Sequence, residues 1–461
     1  MIKDLTKGNP SKVIVKFSLP LLLSMVFQQL YNMADSIIAG NMISNNALAA
    51  VGVSTPVTMI YVAIAVGCSG GISVVCASFF GQEKFSSVKT TSYTALIFMF
   101  LLAAVLTLVG YFISAPLVNL LDTPQSIFSD SVSYLEIYTL GLVFVFIYNA
   151  SNAVFTGMGD SVTPLVLLIC SSIGNVGLDI ALAKPMGVTG LALATLTAQA
   201  CAGIFSLILV LVRLKKLIVT DPVPSHPGFD FKKIFSTRIL KSIILMAFPG
   251  VCQQSFVSVG QLFVQNLING FGEQTIAAYT AAMKINTFCI SCIVTVANAI
   301  ASFTAQNLGA GDIKRVKKGM YSAALILIGF SLCIVAIVAP LANQLVELFV
   351  NSSETSGTIS VSEVIATGSQ FLWITCPFYV FIAIKTSTDG VIKGAGCLFQ
   401  FMVSTFADLI LRVALSYILA PSLGFLGVCI SWPIGWVIGT ALSVGLYLSR
   451  SWEKRHFKAV G

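Results

Sequence analysis

Charge is scarce in this chain. Asp, Glu, Lys and Arg make up 10% of its 461 residues, against roughly 25% in a soluble globular protein. With 56% hydrophobic residues and a mean hydropathy of +0.93, that scarcity excludes an ordinary soluble enzyme or nucleic-acid binder. Histidine is nearly missing: His226 and His456 are the two present, both in polar stretches expected to meet water. No metal-ligand cluster, phosphate-cradling glycine loop or nucleophile elbow occurs. The reading is a non-enzyme without a cofactor. The cysteine count, eleven, is odd, and all of them fall in apolar segments, which argues against a disulfide framework. Cys289 and Cys292 have CxxC spacing but sit mid-span, where small packing residues are the plainer reading.

Long apolar runs are plentiful. Stretches of 18 or more such residues recur from end to end, each able to cross about 30 Å of hydrocarbon. Spans are expected near 13–38, 48–79, 86–113, 131–156, 163–184 and 187–213, then near 238–268, 277–307, 317–343, 362–392, 398–420 and 424–450. The expected fold is an all-α polytopic membrane protein with twelve transmembrane helices in two pseudo-symmetric six-helix lobes. The first apolar stretch is too long for a signal-peptide core and lacks a small-residue cleavage site. Basic residues gather in every second connection: Lys3 to Lys16, Lys84 and Lys89, Arg213 to Lys241, Lys314 to Lys318, and Arg450 to Lys458. This positive-inside pattern places both termini in the cytoplasm of a cell inner (plasma) membrane protein. Charge spread in that way does not build a nucleic-acid surface.

The sequence also repeats itself. At an offset of 228, Ala49-Ala50 falls on Ala277-Ala278, Gly81 on Gly309 and Val88-Lys89 on Val316-Lys317. Later the offset is 237, pairing Gly157 and Gly159 with Gly394 and Gly396, and Gly187 and Gly190 with Gly424 and Gly427. The extra residues fit the polar insert Asn351–Ser360, an expected outside loop. Six spans per repeat give the two halves the same orientation. Residues 1–214 form the expected N-lobe, 215–241 a cytoplasmic linker, and 242–461 the C-lobe.

Ionisable groups inside spans are costly to bury and mark functional positions. Asp35 lies deep in the first span, one turn after Tyr31. Asp179 lies in the fifth, one turn after Asn175, and the fourth span presents Asn149 and Asn152 with Tyr134 and Tyr138 further up. These belong to the N-lobe, which reads as the half built for acid chemistry. In the C-lobe, Lys385, Asp389 and Lys393 are expected to snorkel and pair near a helix end. Asp408 and Arg412, one turn apart, are expected to neutralise each other, and Lys284 is a further intramembrane candidate. Pro20 gives the first helix a hinge, since proline removes a backbone hydrogen bond. With no nucleotide-binding segment, transport must draw on an ion gradient.

Several stretches together resemble one family. Gly8-Asn9-Pro10, Phe17-Ser-Leu-Pro20 and Gln29-Leu-Tyr-Asn-Met-Ala-Asp35 are similar to the opening of multidrug and toxic compound extrusion (MATE) transporters. Gly157-Met-Gly-Asp160 with Thr163-Pro164 resembles the connection after their fourth span, and Gln306-Asn-Leu-Gly-Ala-Gly311 the signature after the eighth. The resemblance covers essentially the whole chain. It implies a V-shaped antiporter, expected as a monomer, exporting cationic or amphipathic compounds in exchange for H⁺ or Na⁺ by alternating access. Within the family the chain is similar to the prokaryotic branch related to the DNA-damage-inducible members. That likeness implies ion coupling at Asp35, Asp179, Asn175, Asn152, Asn149 and Tyr134, and a cation site at Tyr31, Asn175, Asp179 and Thr197. The segment Ile180–Met186 is tighter than is usual there. The alternative reading is a lipid-linked precursor flippase of the same superfamily, which would need a basic central cavity.

Overall fold

A computed structural model of the chain describes residues 4–38, 43, 45–121, 123–217, 234–349 and 360–454. Residues 351–359 of the expected outside loop, the 218–233 part of the linker, His226 and His456 lie outside the described residues, as does the side chain of Asp35. The described part is all-α. The first half holds α1 (Pro10–Ile38), α2 (Asn45–Gly81), α3 (Phe85–Leu120), α4 (Gln125–Leu140), α5 (Leu142–Gly157) and α6 (Val162–Lys216). The second holds α7 (Thr237–Asn269), α8 (Glu273–Gly309), α9 (Ile313–Val338), α10 (Ala342–Glu347), α11 (Val361–Thr375), α12 (Tyr379–Gly394), α13 (Leu398–Leu423), α14 (Phe425–Leu448) and α15 (Ser451–Lys454). A short 3₁₀ turn, Cys376–Phe378, joins α11 to α12.

Twelve crossings follow from these lengths. Ten helical stretches among the described residues are long and apolar enough to cross a membrane, and α4 with α5 forms another, bent by 45°. The 55 residues of α6 would run roughly 80 Å if straight, more than twice the hydrocarbon thickness. They turn back at Gly187, whose φ of 59° and ψ of −137° are closed to a side chain without strain, and so supply two spans. Gly424 stands between α13 and α14 with φ 60° and ψ −141°. These two glycines are the 237-offset pair, so the repeat extends to backbone angles.

Two departures from the expected spans have local causes. The fourth span is not one straight rod: at Gly141 a Cβ would come within 2.9 Å of Gln199 Oε1 and 3.1 Å of the Tyr138 carbonyl, and the bare backbone lets the helix bend there. The ninth span stops at Val338, and α10 follows as a separate turn ahead of the insert.

Each half has its own apolar core, but the first helix of each half begins in the other one. Leu5, Ile14 and Phe17 pack with Ile293, Phe303 and Phe371 of the second half. Ile239, Ile243 and Ala247 of α7 pack with Ile72, Val75 and Val88 of the first. Close approach of α7 to α2 depends on Gly67 and Gly71, where a Cβ would sit 2.6 Å from Val251 N and 2.5 Å from Ala247 N. The halves are crossed at their starts.

Candidate functional site

At the end carrying Lys84, Lys89 and Lys314 to Lys318, the halves are clasped. A Cβ on Gly81 would overlap the Gln306 carbonyl, and one on Gly309 would overlap the Ser78 carbonyl. Since 78 and 81 correspond to 306 and 309 at the offset of 228, this is one contact made twice about a pseudo-twofold axis. Gln306 adds an asymmetric bond, donating to the Gly157 carbonyl at 2.8 Å and accepting from Leu5 N at 3.0 Å. Arg315 donates to the carbonyls of Gly8, Leu5 and Lys7, which stitches the N-terminal segment to the second half. The two conspicuous glycine-bearing motifs thus serve this clasp.

Beside it, Asp160 is fully buried and accepts from Val162 N (3.2 Å), Thr163 N (3.1 Å) and Thr163 Oγ1 (2.8 Å), with Arg213 at 3.4 Å. Burial opposes ionisation, but the Thr163 hydrogen bonds together with nearby positive charge hold the carboxyl below its ordinary value. It caps the start of α6 and ties that start to the same helix's far end.

Above the clasp lies a cavity of about 730 Å³ between the halves. Its floor is polar: Ser73 shares hydrogen bonds with Thr156 (3.1 Å) and Ser302 (3.2 Å). Leu21, Met25 and Gln29 of α1 line one side, and α7, α8, α12, α13 and α14 supply most of the rest. Among the described residues its charged members are Lys385, Asp389, Lys393, Asp408 and Arg412. All five come from the half that the sequence marks as the less functional one.

Their pairing differs from expectation. Asp408 does not neutralise Arg412. Lys385 Nζ lies 2.9 Å from Asp389 Oδ2 and 3.8 Å from Asp408 Oδ2, and Ser404 and Ser443 donate to Asp389 Oδ1 at 2.9 and 2.6 Å. The reason is helix packing: Gly435 and Gly439 of α14 let Asp408 slide inward beside Lys385. Arg412 instead lies over the Trp432 ring, 4.2 Å from its centroid. Lys385 is 6% exposed, so it is buried within the lobe and does not snorkel. Lys284 is exposed, with its ammonium 5.3 Å from the Phe349 ring. Spacing along one helix could not reveal a partner supplied by another.

The N-lobe residues form a second, separate place. Asn175 and Asp179 are buried together in the first limb of α6. The Asn175 amide satisfies its neighbours in one orientation only: Nδ2 donates to Asp179 Oδ2 at 2.7 Å, and Oδ1 accepts from Thr195 N at 3.3 Å. The threonine on this face is therefore Thr195. Thr197 is exposed and donates to the Leu193 carbonyl of its own helix at 2.7 Å. Asn149 likewise donates to its own helix, to the Val145 carbonyl at 2.9 Å, and Asn152 has a buried Oδ1 with no hydrogen-bond partner among the described residues. Tyr134 is buried and stacked with Tyr138. Tyr31 is half-buried on α1, and Pro20 lies inside the same helix. None of these lines the cavity. Cys289 and Cys292 are buried, free thiols, like packing residues.

Comparison with known proteins agrees with this architecture. A family model described as MatE matches residues 20–181 and 249–418. A Bacillus subtilis protein named "Probable multidrug resistance protein YpnP" is 24% identical over 98% of this chain and 97% of its own length. A Shewanella oneidensis protein named "FAD transporter" is 22% identical over 73% of this chain and 74% of its own. A solved structure titled as the outward-facing conformation of a multidrug resistance MATE family transporter superposes with a TM-score of 0.87, at 24% identity and 98% coverage of both chains.

Proposed function

The chain belongs to the MatE family, and from this membership we propose that it is a secondary exporter of amphipathic small molecules. The cavity between the lobes holds the substrate, and alternating access exposes it to one side of the membrane and then the other. What carries this reading is the clasp: the lobes close one end of a central cavity by close backbone contacts at Gly81 and Gly309. With the basic end in the cytoplasm, the described state is closed to the cytoplasm. The relatives' names, multidrug resistance protein and FAD transporter, support small-molecule transport. A lipid-linked precursor flippase accords less well with a chain whose helices account for twelve spans.

Asp179 and Asp35 are proposed as the coupling acids, with Asn175, Asn149, Asn152 and Tyr134 as the polar frame around them. H⁺ is the proposed coupling ion. Na⁺ is a hard cation that wants several oxygen ligands, and one of the four expected, Thr197, is exposed and bonded to the Leu193 carbonyl of its own helix. A Na⁺ site made by Tyr31, Asn175, Asp179 and Thr197 would need Thr197 to change face. Efflux from proteoliposomes under separately imposed gradients tests this. A proton gradient alone should drive export, and Asp35→Asn and Asp179→Asn should each abolish it with protein levels unchanged. Export driven by Na⁺ at fixed pH would restore the Na⁺ assignment.

A further inference from the structure

We propose that the substrate of this cavity is an amphipathic anion, held through Arg412 and Lys393 beside an apolar wall. The inference rests on the transport reading above and narrows its substrate class. The five charged side chains lining the cavity divide by accessibility. Lys385, Asp389 and Asp408 are 6%, 6% and 8% exposed and form one hydrogen-bonded cluster between helices. Both carboxylates are withdrawn from an incoming cation. Asp389 is engaged by Lys385, Ser404 and Ser443. Asp408 keeps one oxygen without a hydrogen-bond partner, but that oxygen faces α14, 3.2 Å from where a Cβ on Gly435 would be.

The two remaining cations are partly exposed, and neither has a carboxylate within 4 Å among the described residues. Lys393 donates to Asn298 Oδ1 at 3.4 Å and lies 5.7 Å from the Phe401 ring centroid. Arg412 lies over the Trp432 ring with its guanidinium carbon 4.2 Å from the centroid, and a guanidinium suits bidentate contact with a carboxylate, sulfonate or phosphate. Trp432, itself lining the cavity, has a buried indole N–H with no acceptor among the described residues. Two accessible cations ask for acceptor oxygens. Met25, Val66 and Val294 also line the cavity and are partly or fully exposed, an apolar surface for the ring system of an amphipathic ligand.

Carboxyfluorescein, an aromatic polyanion, and ethidium, an aromatic cation, are suitable probes for the purified full-length protein in detergent, read by fluorescence anisotropy. Carboxyfluorescein should bind, more weakly at higher salt, and Arg412→Gln should lower its affinity at least tenfold. Arg412→Lys, which keeps charge but loses the guanidinium fork, should fall between, and Lys393→Gln should also weaken binding. The same variants should leave ethidium affinity unchanged or raise it. Absence of carboxyfluorescein binding, an unchanged affinity in Arg412→Gln, or a parallel loss of ethidium affinity would overturn the proposal. The two readings fail differently. Ethidium bound and exported with no anion binding sinks the anion site and leaves the exporter, whereas Arg412-dependent anion binding with no gradient-driven movement keeps the site and sinks the exporter.

Discussion

Asp160 carries charge where burial disfavours it, so its contribution has a defined pH dependence. Its folded carboxyl is held below the ordinary value by Thr163 together with nearby positive charge. That stability is fully present above the ordinary carboxylate range and is lost as the pH falls through the depressed folded value. Asp160→Asn should therefore destabilise the purified protein at neutral pH by roughly 2–3 kcal/mol, the scale of a lost buried charge-assisted network. The gap to wild type in thermal melts should shrink once the pH drops below the ordinary carboxylate range. An equal gap at every pH would show that shape, not charge, is what Asn fails to supply. Single residues were unevenly legible in the sequence. The Asn175 and Asp179 pair was, because one turn of one helix separates them. So was the Lys385 and Asp389 pair, again one turn apart, whereas the partners of Asp408 and Arg412 were not, because they come from α12 and α14. Thr197, named from the family resemblance, is exposed, while the backbone N–H of Thr195 is the one that faces Asn175.

Elements were read more reliably than sites. Run length and basic punctuation placed most spans within a few residues, because hydrocarbon thickness sets helix length, while α3 runs on to Leu120 and α4 starts already at Gln125. What they could not give is the bend at Gly141 or the tightness of the turn at Gly187. At Gly141 the cause is a close approach to Gln199 that only packing reveals, and at Gly187 it is a backbone conformation reserved for glycine. The turn makes a test. Gly187→Ala puts a Cβ on a conformation essentially reserved for glycine, at about 1–3 kcal/mol, and Gly424→Ala does the same in the other half. Each should lower the melting temperature, and the double variant should show the sum, because the two turns belong to different lobes. No loss in either would mean that the turn relaxes into an ordinary loop.

For the whole molecule, the clasp is the feature to challenge. Enlarging Gly81 or Gly309 removes space for the opposite carbonyl, so Gly81→Ala or Gly309→Ala should disfavour the end-closed state. In a cysteine-free background, a cysteine at position 73 in the cavity floor should then react at least tenfold faster with a reagent applied to the cytoplasmic face. Unchanged labelling would show that the end stays shut by other means. The crossing of α1 and α7 also bears on synthesis. Leu5, Ile14 and Phe17 are made well before their neighbours Phe303 and Phe371, which emerge some three hundred residues later. At about 5–20 residues per second that is a wait of roughly fifteen seconds to a minute. Through that interval the start of the chain has no native surface to rest on and depends on lipid or an insertion chaperone. A ribosome-released first half, ending near residue 216, should accordingly be degraded quickly and be rescued when the second half is co-expressed.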